Sequence, residues 1–424
     1  MTTSHDVLVV GGGPAGASCA YWLAEAGHDV LLVEKKRYPR EKTCGDGLTP
    51  RSVKQLNDMG LAGALAGHHR FDGLRSIAFG RTLELRWPDH PDFPTYGYVV
   101  TRKDLDQLVA ERAAKAGATI WQESEAVSPV LDGAAVRGAV VRRKDAGGSL
   151  TEEVAARYVI VADGANSRFG RALGTSRDRS RPMGLAIRGY YESPRHDEPW
   201  IESHLDIRDA SGTVLPGYGW IFPVGDGRVN VGVGLLSTSK RWKSVNTSHL
   251  MESFAAYAPP SWGIRPETSC GPPTGGKLPM AFSLSPTSGP SHLVIGDAGG
   301  AINPFNGEGI CYAYETGRMA AEAVGRALAT GDTTALEDYP RRAREEYELY
   351  YKVASAFVRI IGHPTAMRAL VSTGMRSRTL MEWVLRIMAN LLRPDELGPA
   401  EAVYKAVAAI ARLAPDGRPS HTAP

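Results

Sequence analysis

The spacing of apolar residues along the chain predicts an α/β protein. Apolar runs over 7–10 and 30–33 have the length of short buried strands, and a helical pattern lies between them from about 15 to 26. A second helical pattern covers 101–116, and the run over 158–161 predicts another buried strand. Strand patterns dominate from about 183 to 280, and helical patterns follow from 310 onward. We therefore expect an α/β domain with a β-rich insert and a helical C-terminal region.

These patterns interleave, which predicts domains built from separate segments. We assign 1–70, 99–182 and 281–335 to one discontinuous α/β domain. Segments 71–98 and 183–280 are assigned to a β-rich substrate domain, and 336–414 to a helical region. The final residues, 415–424, have the composition of a disordered tail.

Composition narrows the class of protein. Hydrophobic residues make up 43% and charged residues 22%, which is typical of a globular enzyme, and the net charge of +3 gives no reason to expect a nucleic-acid partner. The four cysteines are scattered without a C-x-x-C pair, so we expect no metal site and no disulfide framework. Uncharged apolar runs stay below the roughly 18 residues of a spanning helix. We expect a cytoplasmic protein that at most binds one face of a membrane.

A glycine-rich turn joins the first predicted strand to the first helix. Its residues, in G-x-G-x-x-G spacing, are Gly11, Gly13, Pro14, Ala15 and Gly16. This spacing lets phosphate oxygens approach backbone N–H groups at the positive end of a helix. Glu34 ends the next strand about 20 residues later, where a ribose hydroxyl needs an acceptor. The segment therefore predicts a dinucleotide site.

A second glycine-rich turn, Gly296-Asp297-Ala298-Gly299-Gly300, precedes Asn303-Pro304 and Gly307-Glu308-Gly309. Together with the first turn and the Asp163-Gly164 segment, it resembles the flavoproteins that include aromatic hydroxylases, flavin halogenases and geranylgeranyl reductases. The resemblance implies FAD as cofactor and a Rossmann-like FAD-binding domain of the glutathione reductase and aromatic hydroxylase type, with an interleaved β-sheet substrate domain. The discontinuous α/β domain assigned above is then the FAD-binding domain.

The same resemblance implies roles for individual residues. Asp163 and Gly164 support the FAD domain, Asp297 holds the ribityl chain, and Arg102 contacts the cofactor from the long helix. Gly307, Gly309 and Ile310 belong to the segment where a helix starts beneath the isoalloxazine ring. The backbone donors of that helix start favour negative charge on a reduced flavin. Further cofactor-binding candidates are Lys35, Cys44, Gly45 and Gly296.

Two further segments resemble the geranylgeranyl reductase family, which reduces isoprenoid carbon–carbon double bonds with FAD. They are Cys44-Gly45-Asp46-Gly47 and Tyr218-Gly219-Trp220-Ile221-Phe222-Pro223. Halogenases carry a similar aromatic motif, so the cysteine loop decides between the two. The catalytic candidates are Cys44, Gly45, Asp46, Tyr218, Trp220 and Phe222. The cysteine has three open roles: ordering the flavin, gating the cavity or donating a proton.

The aromatic motif reads as one strand of a hairpin. Its three aromatic side chains share a face, because side chains alternate along a strand. The returning strand places Asn230, Gly232 and Gly234 on one face and valines on the other. If the aromatic residues lie beside the glycines, the sheet offers an aromatic wall with empty space next to it. Aromatic stripes also fill ordinary cores, and that alternative stays open.

The C-terminal region contains a basic amphipathic helix predicted over 380–392. Its narrow polar stripe is Glu382, Arg386, Asn390 and Arg393. Such a helix lies on an anionic bilayer or packs in a helical bundle, and the pattern alone fits both. For a lipid-handling enzyme we expect peripheral contact with the inner face of the cell membrane.

The resemblance implies a reductase that saturates one double bond of a prenyl lipid. Within the family, the compact bacterial form of the chain and its basic C-terminal helices favour the menaquinone side chain as substrate. The external electron donor is expected to be NAD(P)H, a reductase or a ferredoxin. One alternative is a reductase of geranylgeranyl diphosphate or of a glycerophospholipid. Another is a flavin-dependent monooxygenase or halogenase on the same scaffold.

Overall fold

The computed structural model describes residues 3–145, 148–208, 212, 214–215, 217–238, 246–393, 396 and 398–413. The tail predicted at 415–424 lies outside this part of the chain. The strands are β1 (Thr3–Val10), β2 (Val30–Val33), β3 (Gly47–Leu48), β4 (His69–Phe71), β5 (Gly73–Ala78), β6 (Arg81–Arg86), β7 (Gly97–Val99), β8 (Thr119–Trp121), β9 (Ser124–Asp132), β10 (Ala135–Asp145), β11 (Gly148–Val161), β12 (Ser176–Arg177), β13 (Met183–Glu192), β14 (Trp200–His204), β15 (Gly217–Pro223), β16 (Arg228–Leu236), β17 (Thr274–Pro279), β18 (Leu284–Ser285), β19 (Ser288–Gly289) and β20 (His292–Val294). The α-helices are α1 (Pro14–Glu25), α2 (Pro50–Asp58), α3 (Ala62–Leu65), α4 (Arg102–Lys115), α5 (Arg168–Ala172), α6 (Thr247–Tyr257), α7 (Ile310–Thr330), α8 (Asp338–Ile361), α9 (Pro364–Gly374), α10 (Arg378–Met388) and α11 (Pro399–Leu413).

The first sheet has a parallel centre. Its strands run in the order β8, β2, β1, β11, β20, so Val7 of β1 is aligned with Val30 on one side and with Tyr158 on the other. Alternate residues of β1 face opposite ways: Val7 and Val9 contribute to the core under α1 and α7, whereas Leu8 and Val10 pack with the β9–β10 hairpin. Burial on both faces explains why the central strands read as continuous apolar runs.

The second sheet runs in the order β17, β13, β16, β15, β14, β5, β6 and is largely antiparallel. Strands β5 and β6, which lie early in the chain, join it through the parallel pair of β5 with β14. The valines of β16 pack with α6 and Trp262 on one face, as the alternation predicts. The opposite face of β16 therefore presents its glycines and Asn230.

The C-terminal helices pack on both sheets. Helix α8 contacts α7 and α11, and α10 contacts β6, so the apolar side chains Met381 and Leu385 are buried in a core with Phe71 and Leu85. The helix predicted over 380–392 ends earlier, at Met388, because Asn390 adopts a left-handed backbone with φ of +53°. Within the described residues, every helix is too short or too polar to cross a bilayer.

These elements confirm the predicted mixed α/β class with a β-rich insert and C-terminal helices. The exact assignment of segments to domains stays a prediction.

Candidate active site

One cavity of about 1350 Å³ extends from the first glycine turn to the C-terminal helices. We call it the central cavity. It brings together most residues that the sequence singled out: Gly11, Gly13, Pro14, Ala15, Glu34, Lys35, Cys44, Gly45, Arg102, Asp163, Gly164, Tyr218, Trp220, Phe222, Asp297, Gly307, Gly309 and Ile310. Residues separated by almost the whole chain therefore share one continuous wall.

Three predicted residues, Gly16, Asp46 and Gly296, lie behind this wall. A Cβ atom on Gly16 would come within 1.9 Å of the carbonyl oxygen of Gly11, so this glycine permits close packing of α1 on β1. Gly296 has φ of +59°, and a Cβ there would lie 2.7 Å from the Cβ of Ala15. The two glycine turns therefore touch each other.

The first glycine turn forms an open cradle at the start of α1. Gly11 has φ of +102°, and a Cβ atom at this position would meet the carbonyl oxygen of Ala162 at 2.5 Å. Gly13 is the N-cap of α1 and lines the central cavity, and no side chain caps this helix. The positive end of the helix therefore faces the cavity, which suits a diphosphate.

A buried chain of charges holds Glu34 beside this cradle. The Glu34 carboxylate accepts hydrogen bonds from the backbone N–H groups of Gly12 and Lys36, each at 2.9 Å. Arg40 bridges Glu34 at 3.2 Å and Asp106 at 2.9 Å. Arg102 in turn pairs with Asp106 at 2.7 Å.

Sequence reasoning missed Arg40 and Asp106. The position of Asp106 four residues after Arg102 on α4 is a detectable signal, since such residues are neighbours on a helix. Arg40 lies in a loop, and its contacts depend on tertiary structure alone. Its buried Nε atom has no hydrogen-bond partner among the described residues, and the Arg40 residue lines the central cavity.

Asp163 has a local structural role. Its Oδ2 accepts hydrogen bonds from the backbone N–H groups of Arg168 and Phe169 at 2.9 and 3.1 Å, at the start of α5. Its Oδ1 is buried without a partner in the described part of the chain. Asp163 therefore orders the turn that borders the cavity and leaves one acceptor available.

The second glycine turn places Asp297 opposite the cysteine loop. Lys42 forms an ion pair with Asp297 at 3.3 Å. The segment that follows leads to Gly309, the N-cap of α7, and no side chain caps this helix either. The positive end of a helix of 21 residues thus meets the middle of the cavity.

A polar cluster lies directly behind the cysteine loop. Asp46 has φ of +65°, and its backbone N–H lies 3.3 Å from the Cys44 Sγ. The Asp46 carboxylate accepts hydrogen bonds from Tyr190 and, at 2.8 Å, from the Nδ2 of Asn230. Burial raises the pKa of Asp46 to about 6. Burial, and then the nearby Asp46, raise the pKa of Cys44, so this thiol is protonated at neutral pH.

Tyr218, Trp220 and Phe222 form an aromatic wall on one side of the central cavity. Trp220 is aligned with Gly232 and donates a hydrogen bond from Nε1 to Asn230 at 2.9 Å. The Tyr218 hydroxyl donates to the carbonyl oxygen of Asn306 at 2.6 Å. The aromatic side chains therefore do share the glycine face of the hairpin.

The expected empty space is only partly present. A Cβ atom on Gly232 would lie 2.2 Å from the Trp220 ring, so the indole itself fills that space. At Gly234 the nearest atom to such a Cβ is 3.9 Å away, and the wall is open there. The prediction was wrong at Gly232 because the indole ring of Trp220 covers this glycine.

The far end of the cavity is formed by the C-terminal helices, which sequence reasoning did not assign to the site. Its apolar side chains are Phe357, Ile361, Met367, Leu370, Met381, Val384 and Met388. Asn303 and Asn306 donate hydrogen bonds to the carbonyl oxygen of Met388 at 3.1 and 3.2 Å, which fixes the end of α10 beside Gly307. This helix packs against protein through Met381 and Leu385, and its contact with a membrane stays a prediction.

The cradle, the unpaired buried polar atoms and the volume of the cavity fit FAD, and the fold and site define an FAD-dependent oxidoreductase. Residues 4–205 match the family described as FAD binding domain. The chain is 41% identical over 396 residues to a menaquinone reductase of Mycolicibacterium smegmatis. The alignment covers 93% of this chain and 94% of the relative. It belongs to the geranylgeranyl reductase family of FAD-dependent oxidoreductases.

Other similarities agree with this membership. A digeranylgeranylglycerophospholipid reductase of Methanopyrus kandleri is 32% identical and covers 82% of this chain and 88% of the relative. A solved structure of a geranylgeranyl bacteriochlorophyll reductase-like protein from Thermoplasma acidophilum is similar with a TM-score of 0.78 and 23% identity, covering 96% of this chain and all of that one. The flavin-dependent brominase Bmp2, at 20% identity and a TM-score of 0.73, covers 97% of this chain and all of that one and shares the scaffold. The family, enzyme class and FAD cofactor predicted from sequence are confirmed.

Proposed function

We propose that the protein reduces one isoprenoid double bond in the side chain of menaquinone. The observation that carries this proposal is the continuity of the central cavity, in which the dinucleotide cradle and an apolar end share one space. A long, flat hydrocarbon chain suits such a lining, since ligand cavities for apolar molecules combine hydrophobic walls with a few polar groups. The identity to menaquinone reductases over most of the chain supports this choice of substrate.

Residues of this chain hold the cofactor in the proposed reaction. The start of α1 and Arg40 would bind the diphosphate of FAD, and Glu34 would accept a hydrogen bond from its ribose. Asp297 and Lys42, paired at 3.3 Å, would hold the polar chain of the cofactor. Reduced FAD supplies a hydride equivalent when bound, and the start of α7 favours the negative charge of that form.

The remaining groups act on the lipid. The aromatic wall and the apolar side chains of α8, α9 and α10 exclude water and align the alkene, which is needed because an isolated double bond accepts hydride poorly. Cys44 holds a proton at Sγ, since its raised pKa keeps the thiol neutral at the cavity wall. The thiol would give this proton to one alkene carbon, and bound reduced FAD would supply a hydride equivalent to the other.

Electrons arrive from outside the chain in this proposal, from NAD(P)H, a reductase or a ferredoxin. Peripheral contact with the inner face of the cell membrane supplies the substrate. Two apolar side chains near the far end of the cavity support such contact: Ile360 is 52% exposed and Leu370 is 48% exposed.

A glycerophospholipid is a second candidate substrate, favoured by the 32% identity to archaeal reductases. A monooxygenase or halogenase function is supported only by a shared scaffold, since those structures are about 20% identical.

The deciding experiment uses the purified holoprotein under anaerobic conditions with dithionite and menaquinone. We expect mass spectrometry to show a gain of two hydrogen atoms in the prenyl tail. The same assay with a digeranylgeranylglycerophospholipid, whose chains still carry their double bonds, distinguishes the second candidate. An unchanged tail with intact FAD would refute the proposal, and hydrogen peroxide with oxygenated product under air would favour a monooxygenase.

The Trp220→Ala variant tests the aromatic wall. We expect lipid turnover to fall about tenfold or more, because removal of the indole opens the wall next to the proposed alkene position. FAD content, read from visible absorption, should stay near the wild-type value. Trp220→Phe is the control that keeps a smaller aromatic ring and loses the hydrogen bond to Asn230. Loss of FAD from both variants would make Trp220 structural.

A further inference from the structure

A second, polar pocket of about 300 Å³ lies beside the end of α8. We call it the basic pocket, and it is lined by Arg179, Ser180, Arg181, Pro182, Ser237, Thr238, Arg359 and His363. Three guanidinium groups, an imidazole and several hydroxyls converge there. His363 is also the N-cap of α9, so the positive end of that helix adds to the same field.

Backbone carbonyls hold two of these guanidinium groups in place. Arg359 donates to the carbonyl oxygen of Ser180 at 3.1 Å, and Arg181 donates to that of Ala281. Carbonyl acceptors orient a guanidinium without cancelling its charge. Within the described part of the chain, the acidic side chain that pairs with these guanidinium groups is Asp178, which lies 3.5 Å from Arg181 and also accepts hydrogen bonds from Ser180. The basic pocket therefore keeps a net positive charge.

Two chain segments that line the basic pocket are continuous with strands that line the central cavity. Arg181 and Pro182 precede β13, whose Gly184 and Ala186 line that cavity. Ser237 and Thr238 follow Leu235 and Leu236 at the end of β16, which line it as well.

Helix α8 completes the connection. Its Phe357 and Ile361 face the central cavity, whereas its Arg359 faces the basic pocket together with His363, the N-cap of α9. An anion in this pocket thus lies beside the apolar end of the cavity, separated from it by one helix.

We propose that the basic pocket binds the phosphate of an anionic membrane lipid and positions the mouth of the central cavity at the bilayer. Arginine matches phosphate oxygens with paired N–H donors, which fixes orientation as well as charge. The exposed Ile360 follows Arg359 directly and suits the hydrocarbon just below a headgroup. The inference deepens the proposed function, because it names the contact through which the enzyme reaches a membrane substrate.

The test is flotation of the oxidised holoprotein with lipid vesicles. We expect binding to vesicles of phosphatidylcholine with phosphatidylglycerol and much weaker binding to phosphatidylcholine alone. Arg359→Gln should lower the partition coefficient about fivefold, the effect of one basic residue near an anionic surface. Arg344→Gln is the matched control, because it removes the same charge from the same helix about 22 Å away; it should stay within about twofold of wild type.

Two results would overturn the proposal. Equal losses in Arg359→Gln and Arg344→Gln would indicate general attraction to the surface. Saturable calorimetric binding of inorganic phosphate or pyrophosphate, lost in Arg359→Gln while vesicle binding is unchanged, would assign the pocket to a soluble phosphate compound.

FAD absorption and the melting temperature verify that each variant is folded. The flotation assay involves no turnover. A negative flotation result would therefore refute membrane binding by the basic pocket without refuting the reductase proposal. A negative menaquinone assay would refute the reductase proposal without refuting membrane binding.

Discussion

The buried carboxyl group of Asp46 is a titrating group within the pH range of ordinary assays. Its pKa is about 6 in the folded protein, against 3.8 for an ordinary aspartate, because burial penalises the charged form. The folded protein therefore binds more protons than the unfolded chain between these two values. Stability from this group is present at low pH and is lost as the pH rises from about 4 to 6.

The Asp46→Asn variant should remove this pH dependence. Asparagine keeps a carbonyl acceptor for Tyr190 and Asn230 but does not ionise. We expect the free energy of unfolding of wild type, relative to the variant, to decrease by about 2 kcal/mol between pH 4 and pH 6. Denaturant unfolding across that range measures the difference. Tyr190→Phe keeps the carboxyl group and should retain the slope; a parallel pH profile for wild type and Asp46→Asn would contradict the assignment.

At the residue scale, local motifs were predictable and tertiary pairs were not. The glycines at 11, 13 and 16 and the acid at 34 follow from chain spacing, because strand, turn and helix are neighbours in sequence. Asn230 was recognised only as a residue on the glycine face. Its hydrogen bond to Trp220 lies within one hairpin. Its hydrogen bond to Asp46 joins that hairpin to a loop 184 residues earlier, and no local sequence pattern encodes this contact.

At the scale of secondary structure, a helix boundary was predictable from sequence only where the residues that end the helix lie next to it in the chain. Helix α4 matches the prediction over 101–116, because Thr101 caps it by accepting a hydrogen bond from the Asp104 backbone N–H. Helix α10 stops at Met388, whose carbonyl oxygen is held by Asn303 and Asn306 from another part of the chain. The apolar periodicity of 380–392 could not reveal this contact.

Helix α10 should control the length of chain that the central cavity accepts. Val384 lines the cavity, whereas Glu382 on the same helix is exposed. We expect Val384→Trp to reduce turnover of menaquinone about tenfold or more, because the added ring occupies the space of the prenyl chain.

Glu382→Trp adds the same ring outside the cavity and should leave turnover within about twofold, since surface substitutions are usually mild. The measurement is reduction rate against prenyl length, together with FAD content. Equal rates in the two tryptophan variants would show that the substrate does not lie along α10.

At the scale of the whole molecule, one buried ion pair joins the FAD-binding core to the C-terminal helices. Arg51 of α2 pairs with Glu315 of α7 at 2.8 Å, and Tyr347 of α8 donates a hydrogen bond to the same carboxylate at 2.6 Å. Arg51 also donates to the carbonyl oxygen of Asn390, beyond α10. The same group of polar contacts thus connects the cofactor side of the central cavity to the C-terminal helices at its far end.

The Arg51→Met variant should destabilise the protein by about 3–5 kcal/mol, because it leaves a buried carboxylate without its partner. Chemical denaturation measures this change. Arg142→Gln is the control: it breaks the exposed pair with Glu125 and should cost about 1 kcal/mol or less. Similar losses of unfolding free energy in the two variants would mean that the buried pair contributes no more to stability than the exposed pair.

The close contact between Trp220 and Gly232 has a consequence for inheritance. A Cβ atom at 232 would lie 2.2 Å from the indole ring and 2.7 Å from the backbone carbonyl oxygen of Ile187, so position 232 accepts no side chain while the ring at 220 is present. The dependence runs one way. The residue at 220 can become smaller while Gly232 stays, whereas a larger residue at 232 requires a smaller one at 220, so a change at 220 must come first in any lineage that replaces this glycine.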